Sequence, residues 1–304
     1  MITVLSGGVG AARLLAALVS VTDPAQIDAV VNVGDDFVLH GLTICPDLDT
    51  ITYTLAGLAN EETGWGRRGE TWRTMTAVGE LGGATWFALG DQDLATHLVR
   101  TQRLGEGATK SEVTREIAAR LGVPITLRPV TDDPLATLVD TEIGTLDFQD
   151  YFVRRAHDVA VTAVRFRGAD ASRPAPGVLA ALNDATRIII APSNPFLSIE
   201  PILAVPGVRE AVSARREDVV AVSPLVGNHA LKGPAARLLD ELGYAVSAEG
   251  VADVYRSIAG TLVIDESDAS MATAIRDQGM NVRVTTSVMA NPVHARALAR
   301  TVLA

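Results

Sequence analysis

Apolar runs of four or five residues recur along the chain, each closed by glycine, proline or acidic residues. Between them lie stretches whose apolar positions repeat every three or four residues, the period of a helix packed on one face. Ile2, Val4 and Leu5 read as a first buried strand; Gly7, Gly8 and Gly10 follow, and a helical pattern starts at Ala11. A second run over 29–33 (AVVNV) reads as a second buried strand. Leu48, Ile51, Leu55 and Leu58 then form a helical stripe with Asp47 at the expected N-cap. A helix is expected over 70–81, a short strand over 86–89, and another helix beyond Asp91. Thr109 and Glu112 have the spacing of a capping box ahead of Val113, Ile117 and Leu121. From 124 to about 164 the runs shorten and alternate, with a turn at Gly144, which predicts a hairpin and meander. Strand and helix alternate again from RIIIA (187–191) through VVAVS, TLVID and VRVTT to a last helix at 292–303.

This order predicts an α/β fold: a Rossmann-like, doubly wound, mostly parallel sheet with right-handed crossovers. The chain is expected to form one domain over 1–304, with a smaller inserted β-rich and helical subdomain over roughly 60–165 packed beside the main sheet. Composition sharpens that picture. With 304 residues, 48% hydrophobic, yet only six Phe, three Trp and four Tyr, the core must be aliphatic, as suits a parallel sheet covered by helices. A formal charge of −10 without a long basic cluster excludes a nucleic-acid polymer as partner and leaves single nucleotides open. Cys45 is the sole cysteine, so neither an intrachain disulfide nor a cysteine metal cluster can form, and a reducing cytoplasmic setting is expected. The apolar start lacks a basic n-region and carries glycines and Arg13 within it, so no targeting segment is expected; no membrane partner is expected either, since no apolar stretch has membrane-spanning length.

Candidate chemistry gathers at the predicted strand ends. Gly7, Gly8 and Gly10 allow a tight turn and close approach of a ligand, and the following helix would aim free N–H groups and its positive dipole end at a phosphate, with Arg13 adding charge. The same glycines could instead serve strand-to-helix packing. Asp35 and Asp36 follow the second strand, where open α/β sheets place ligand groups, or form a solvated turn. With Asp47 and Asp49 they make four carboxylates in 15 residues, a donor set suited to Mg²⁺ shared with phosphate oxygens and water. Asp91 falls after the strand predicted at 86–89, and His97 and Arg100 lie near one helix face. Ser193 and Asn194, held between prolines at a strand end, can offer hydroxyl and amide groups to a base, ribose or phosphate. Lys232 precedes a helix, as an anion contact or a solvated lysine, and Asp132 and Asp133 in TDDPL read as a turn.

Taken together, LSGGVGAAR, NVGDD, CPDLDT, GDQDLATHLVRTQ, TDD, APSNPFLSIEPILAVPGVREA and SPLVGNHALKGPA, in this order over nearly the whole chain, resemble the 2-phospho-L-lactate transferase family (CofD, or FbiA in actinobacteria) of coenzyme F420 biosynthesis. The resemblance implies a Mg²⁺-dependent transfer from a guanylyl diphosphate donor to the ribityl hydroxyl of the deazaflavin Fo, giving GMP and F420-0 or dehydro-F420-0, in a homodimer. It implies that Gly7, Gly8, Gly10 and Arg13 form the nucleotide-phosphate loop, that Asp35, Asp36 and Asp49 serve metal and acceptor, and that Ser193, Asn194 and Lys232 face the donor. Asp49, with Asp35, is the expected catalytic carboxylate. Asp91, Gln92 and Arg100 belong to the expected substrate-binding set, although Gln92 stands where the family usually carries a basic residue. YvcK-like proteins, which share the glycine loop and bind UDP-sugars without turnover, are the alternative reading; the NVGDD and CPDLDT pairing favours the transferase.

Overall fold

The computed structural model describes residues 1–304 except Glu61, Thr63, Asn228, Leu231 and Lys232. Among the described residues the strands, in chain order, are β1 (Ile2–Ser6), β2 (Ile27–Val31), β3 (Phe37–Leu39), β4 (Leu42–Ile44), β5 (Thr126–Pro129), β6 (Ala136–Thr141), β7 (Gly144–Asp147), β8 (Val161–Arg167), β9 (Arg187–Ile190), β10 (Val219–Val222), β11 (Leu225–Val226), β12 (His229–Ala230), β13 (Thr261–Asp265) and β14 (Asn281–Thr285). Seven of them form the central sheet in the order β14-β13-β10-β9-β1-β2-β5, every pairing parallel. β1 lies inside the sheet, with β2 and β5 wound to one side and β9, β10, β13 and β14 to the other. The winding direction therefore reverses between β1 and β9, and open α/β sheets bind ligands at the carboxyl ends of the strands at such a point.

The strands read as unbroken apolar runs because both faces are covered. Val4, Leu5, Val30, Val31, Ile188, Ile189, Ile190, Val220 and Val263 expose nothing to solvent. Each such side chain contributes about 1.5–3 kcal/mol relative to an exposed one. Helix α1 (Gly8–Val19) returns the chain from β1 to β2 and packs on α2 (Pro46–Leu55) and on the last helix, Pro292–Leu303. That last helix has the predicted bounds, with Asn291 accepting from Val293 and His294 N–H groups as N-cap.

The middle of the chain departs from expectation in two places. Residues 86–89 form no strand: Trp86 and Phe87 pack against Phe37, and no neighbouring backbone pairs with them. Aromatic packing satisfies the apolar run there. Within the stretch read as a meander, β5 is the edge strand of the central sheet, while β6, β7 and β8 form a separate antiparallel sheet in the order β7-β6-β8. Phe148 and Tyr151 anchor that small sheet by packing with Leu197 and Leu238. Helices α3 (Arg73–Glu80), α4 (Asp91–Gly105) and α5 (Lys110–Arg120) precede it, α5 opened by the predicted Thr109–Glu112 capping box. No helix among the described residues is long and apolar enough to cross a membrane.

Candidate functional site

The carboxyl ends of β1, β2 and β9 meet at the winding reversal, and their loops are tied to one another. Ser6 passes into Gly7, extended at φ −155°, and then into Gly8 at φ +69°, a left-handed conformation that glycine adopts at no steric cost. Helix α1 thus starts at Gly8, three residues earlier than its side-chain pattern suggests. From the β9 end, Ser193 donates its hydroxyl to the Gly7 carbonyl at 2.7 Å. From the β2 end, Asn32 continues the ladder by donating its backbone N–H to Ser6 at 2.9 Å.

Asp47 is the carboxylate that closes this junction. Cys45 takes the N-cap position of α2 without a side-chain hydrogen bond, and Pro46 starts the helix. Asp47 is therefore not the N-cap expected from sequence. Its Oδ1 accepts from Gly8 N–H at 2.8 Å and its Oδ2 from Asn32 Nδ2 at 2.9 Å. An anion already stands at the start of α1, and it is a side chain of this protein. Gly7 is small because a Cβ there would press on Ser198 and Asp47; Gly10 is small because a Cβ would run into the Pro192 carbonyl. Gly10 accordingly answers the packing alternative, bringing α1 close against the segment leaving β9.

Asp35 and Asp36 stand beside Asp47. Asp35 is 6% exposed and its Oδ1 has no hydrogen-bond partner; the Oδ1 of Asp36 is buried and unpartnered too. The Oδ2 of Asp36 accepts from Lys110 Nζ at 2.6 Å, and Gln149 Nε2 donates to the Asp35 carbonyl at 3.0 Å. Burial first, then the neighbouring charge of Asp47, holds the Asp35 carboxyl well above the usual carboxylate range. Burial also pushes Asp47 up to about 6, against the opposing pull of its bonds to Asn32 and Gly8. Burial works most strongly against the Lys110 ammonium, but the charge and hydrogen bond of Asp36, with further acidic neighbours such as Asp132, together raise the lysine pKa. Two buried carboxylates and the part-buried Asp36 thus stand together, Lys110 pairs with Asp36, and the Oδ1 atoms of Asp35 and Asp36 lack a partner. Among the described residues these three carboxylates do not bring one oxygen each within 4.8 Å of one another, but a hard divalent cation needs only one or two carboxylates beside water and phosphate oxygens.

Both Asp35 and Asp36 line a cleft of about 590 Å³ whose other walls include Phe37, Trp86, Thr137, Phe148 and Arg154. Arg13, expected beside the glycines, faces a different cleft of about 440 Å³ on the flank of α1, where Thr54, Ala295 and Arg296 also contribute.

Asp49 stands in a second group rather than with Asp35. Arg100, 4% exposed, donates to both Asp49 oxygens, Nη1 reaching Oδ2 at 3.1 Å, and the same Nη1 lies 3.1 Å from His97 Nδ1. Because guanidinium can only donate, Nδ1 accepts and the imidazole proton sits on Nε2, 3.3 Å from Asp93 Oδ2. Tyr53 donates its hydroxyl to Asp93 Oδ1 at 2.6 Å. Asp49, Asp93 and His97 could each turn one atom to a common ion, their ligand atoms lying within 4.8 Å of one another. Arg100 already compensates Asp49, so the group is closed by internal charge pairing.

Other expected residues have local duties. Asp91 follows no strand. It opens α4 and fastens the start of α3, accepting from the Thr71 hydroxyl and from Arg73 and Thr74 N–H groups at 3.2 and 3.1 Å, bonds that hold its carboxyl down to about 2. Gln92 donates to the Gly69 carbonyl at 3.0 Å. Asn194 Oδ1 accepts from Phe196 and Leu197 N–H groups at 3.0 and 3.1 Å, leaving its buried Nδ2 without a partner. Asp132 accepts from Ser111 N–H at 2.7 Å and Asp133 from Arg173 N–H at 2.8 Å, structural duties compatible with the turn read from TDDPL. Lys232 lies outside the described residues.

Sequence reasoning missed Asn32 and Asp93. The available signal for Asn32 was a lone amide inside an otherwise apolar strand run; for Asp93, its i,i+4 spacing to His97.

Comparison with known proteins shows the family and the fold. The model of the family described as 2-phospho-L-lactate transferase CofD matches residues 2–301. A protein named phosphoenolpyruvate transferase from Kitasatospora aureofaciens is 43% identical over all of this chain and 97% of its own length. A protein named 2-phospho-L-lactate transferase from Methanothermobacter thermautotrophicus is 39% identical, covering 100% of this chain and 97% of that protein. A crystal structure of a UPF0052 family member from Bacillus halodurans superposes with a TM-score of 0.66 over 100% of this chain and 98% of that one, at 17% identity, a likeness of fold. With the match running from the first strand to the last helix, the chain belongs to the CofD family of 2-phospho-L-lactate transferases.

Proposed function

We propose that this protein transfers a phosphoenolpyruvyl group, or the related phospholactyl group, from a guanylyl diphosphate donor to the ribityl hydroxyl of Fo. In this reaction a bond forms between the ribityl oxygen and the substituted phosphorus, the diphosphate P–O bond breaks, GMP departs, and the hydroxyl proton passes to the protein. Dehydro-F420-0 or F420-0 results. Relatives named phosphoenolpyruvate transferase and 2-phospho-L-lactate transferase support this reading. The observation that carries it is the group Asp35, Asp36 and Asp47 at the winding reversal, with two unpartnered buried oxygens. Asp36 and Asp47 would hold Mg²⁺, which when bound neutralises charge on the diphosphate.

Asp35, lining the cleft with a free oxygen and a raised pKa, receives the hydroxyl proton. A carboxylate whose proton affinity is raised by burial is a stronger base than an ordinary one. Holding the donor and the acceptor in line is most of what phosphoryl-type transfer asks of a protein. The enzyme works as a homodimer in the cytoplasm, a state that sedimentation of the purified chain tests. The reaction itself is tested by incubating pure protein with Fo, Mg²⁺ and, separately, enolpyruvyl, lactyl and glyceryl guanylyl diphosphates, then weighing the products. Dehydro-F420-0 from the enolpyruvyl donor is expected; no mass gain on Fo with any donor overturns the reading.

A further inference from the structure

The cleft lined by Asp35 also has an aromatic wall, and that wall holds a displaceable occupant. The Arg154 guanidinium lies 4.7 Å over the centre of the Trp86 ring. Trp86 is itself braced by Phe37 at 6.1 Å and by Phe87, edge-on, at 5.8 Å. A planar guanidinium over an indole occupies the space a flat heteroaromatic ring would take, and by similar forces.

Little else holds Arg154 there. Its side chain is 54% exposed, and Asp150 Oδ1, at 3.3 Å, makes no hydrogen bond with it. An ion pair of this kind contributes on the order of 0–1 kcal/mol. The supporting segment is irregular: a π-turn spans Asp150–Arg154, and Ala156 and His157 follow with φ of 50° and 47°. Two successive non-glycine residues in the left-handed region store backbone strain, which persists at functional sites. Deeper in the same cleft the hydroxyl of Thr137, 1% exposed, has no partner. That hydroxyl can exchange a hydrogen bond with a polar group entering the cleft.

We propose that Trp86 is the stacking platform for the acceptor's flat tricyclic ring, that the ring takes the place of the Arg154 guanidinium, and that the ribityl chain then runs past Thr137 toward Asp35. This rests on the transferase reading and adds the residues that determine acceptor affinity. The volume, about 590 Å³, falls in the range of small-molecule sites. Aromatic stacking acts on the ring, remote from the reacting hydroxyl, so it governs binding of acceptor rather than the chemical step.

The test is acceptor binding by Fo fluorescence titration together with steady-state kinetics on Trp86→Leu, Trp86→Phe and Arg154→Ala, each with a thermal melt. Trp86→Leu is expected to raise both Kd and KM for Fo about tenfold, the loss of one good aromatic stack, with kcat and donor KM essentially unchanged. Trp86→Phe, which keeps a stackable ring and the packing against Phe37, falls between. Arg154→Ala tightens Fo binding because nothing need be displaced. Unchanged Fo affinity in a folded Trp86→Leu or Trp86→Phe protein overturns the proposal, as does a rise in donor KM alone, which would give the platform to the guanine. Failure of the wild-type protein to bind Fo overturns the transferase reading itself, and is seen before any variant is compared.

Discussion

Replacing Asp49 by Asn tests whether that carboxylate holds the structure or does chemistry. In the structure Arg100 is 4% exposed and spends its guanidinium on both Asp49 oxygens, with His97 Nδ1 as a further partner. Asparagine keeps the shape but removes the countercharge, leaving a buried cation. Breaking a buried pair from one side costs about 3–5 kcal/mol, a large part of the roughly 5–15 kcal/mol by which proteins are stable. At roughly 2–4 °C per kcal/mol for chains of this general size, the melting temperature should fall by on the order of 10 °C. The double variant Asp49→Leu with Arg100→Met removes both charges and should recover much of that loss, because well-packed apolar pairs replace buried ion pairs at little or no net cost. Urea and thermal unfolding of the single and double variants, with turnover measured well below the melt, provide the readout. Asp49→Asn should retain most turnover while folded. A variant with wild-type stability but no turnover would refute the structural assignment and return Asp49 to the reaction.

Gly10→Ala should destabilise the protein by about 1–3 kcal/mol without altering any ligand group, because the added methyl meets the rigid Pro192 carbonyl; denaturant unfolding measures it. Asp47 gives a pH dependence of defined sign. Its folded-state pKa of about 6 lies above the ordinary value of 3.8, so the ion-free protein loses stability as pH rises from about 4 through 6 and keeps that loss above. Mg²⁺ competes with protons for the carboxylates, so the rise in melting temperature on adding it should be larger near pH 7.5 than near pH 5. Equal rises at both pH values would count against Asp47 as a ligand. Asp91→Asn should speed amide hydrogen exchange at the start of α3 while leaving Fo affinity intact, since its carboxylate is spent on Thr71, Arg73 and Thr74.

The sheet was legible in the sequence because strands buried on both faces must be continuously apolar, and β1, β2, β9, β10 and β13 announce themselves that way. The last helix was legible because a capping asparagine and a proline fix its start. The run at 86–89 misled because aromatic residues satisfied by packing against Phe37 read like residues satisfied in a ladder. The acidic group at 35–49 was visible as composition, but its division into two sites was not. Asp47 and Asp49, two residues apart on one helix, point to different neighbours: Gly8, 39 positions away, and Arg100, 51 away. Only the crossing of α1, α2 and α4 brings those partners in, and a local pattern carries no trace of that crossing.

The account turns on Asp35 as the proton acceptor in the cleft. Single-turnover transfer to Fo by Asp35→Asn, at saturating donor and Mg²⁺, measures this directly. The expected result is a rate lower by about 10²–10⁴-fold, the usual worth of a positioned base, with Fo affinity and melting temperature preserved. A rate close to that of the wild-type protein would contradict it.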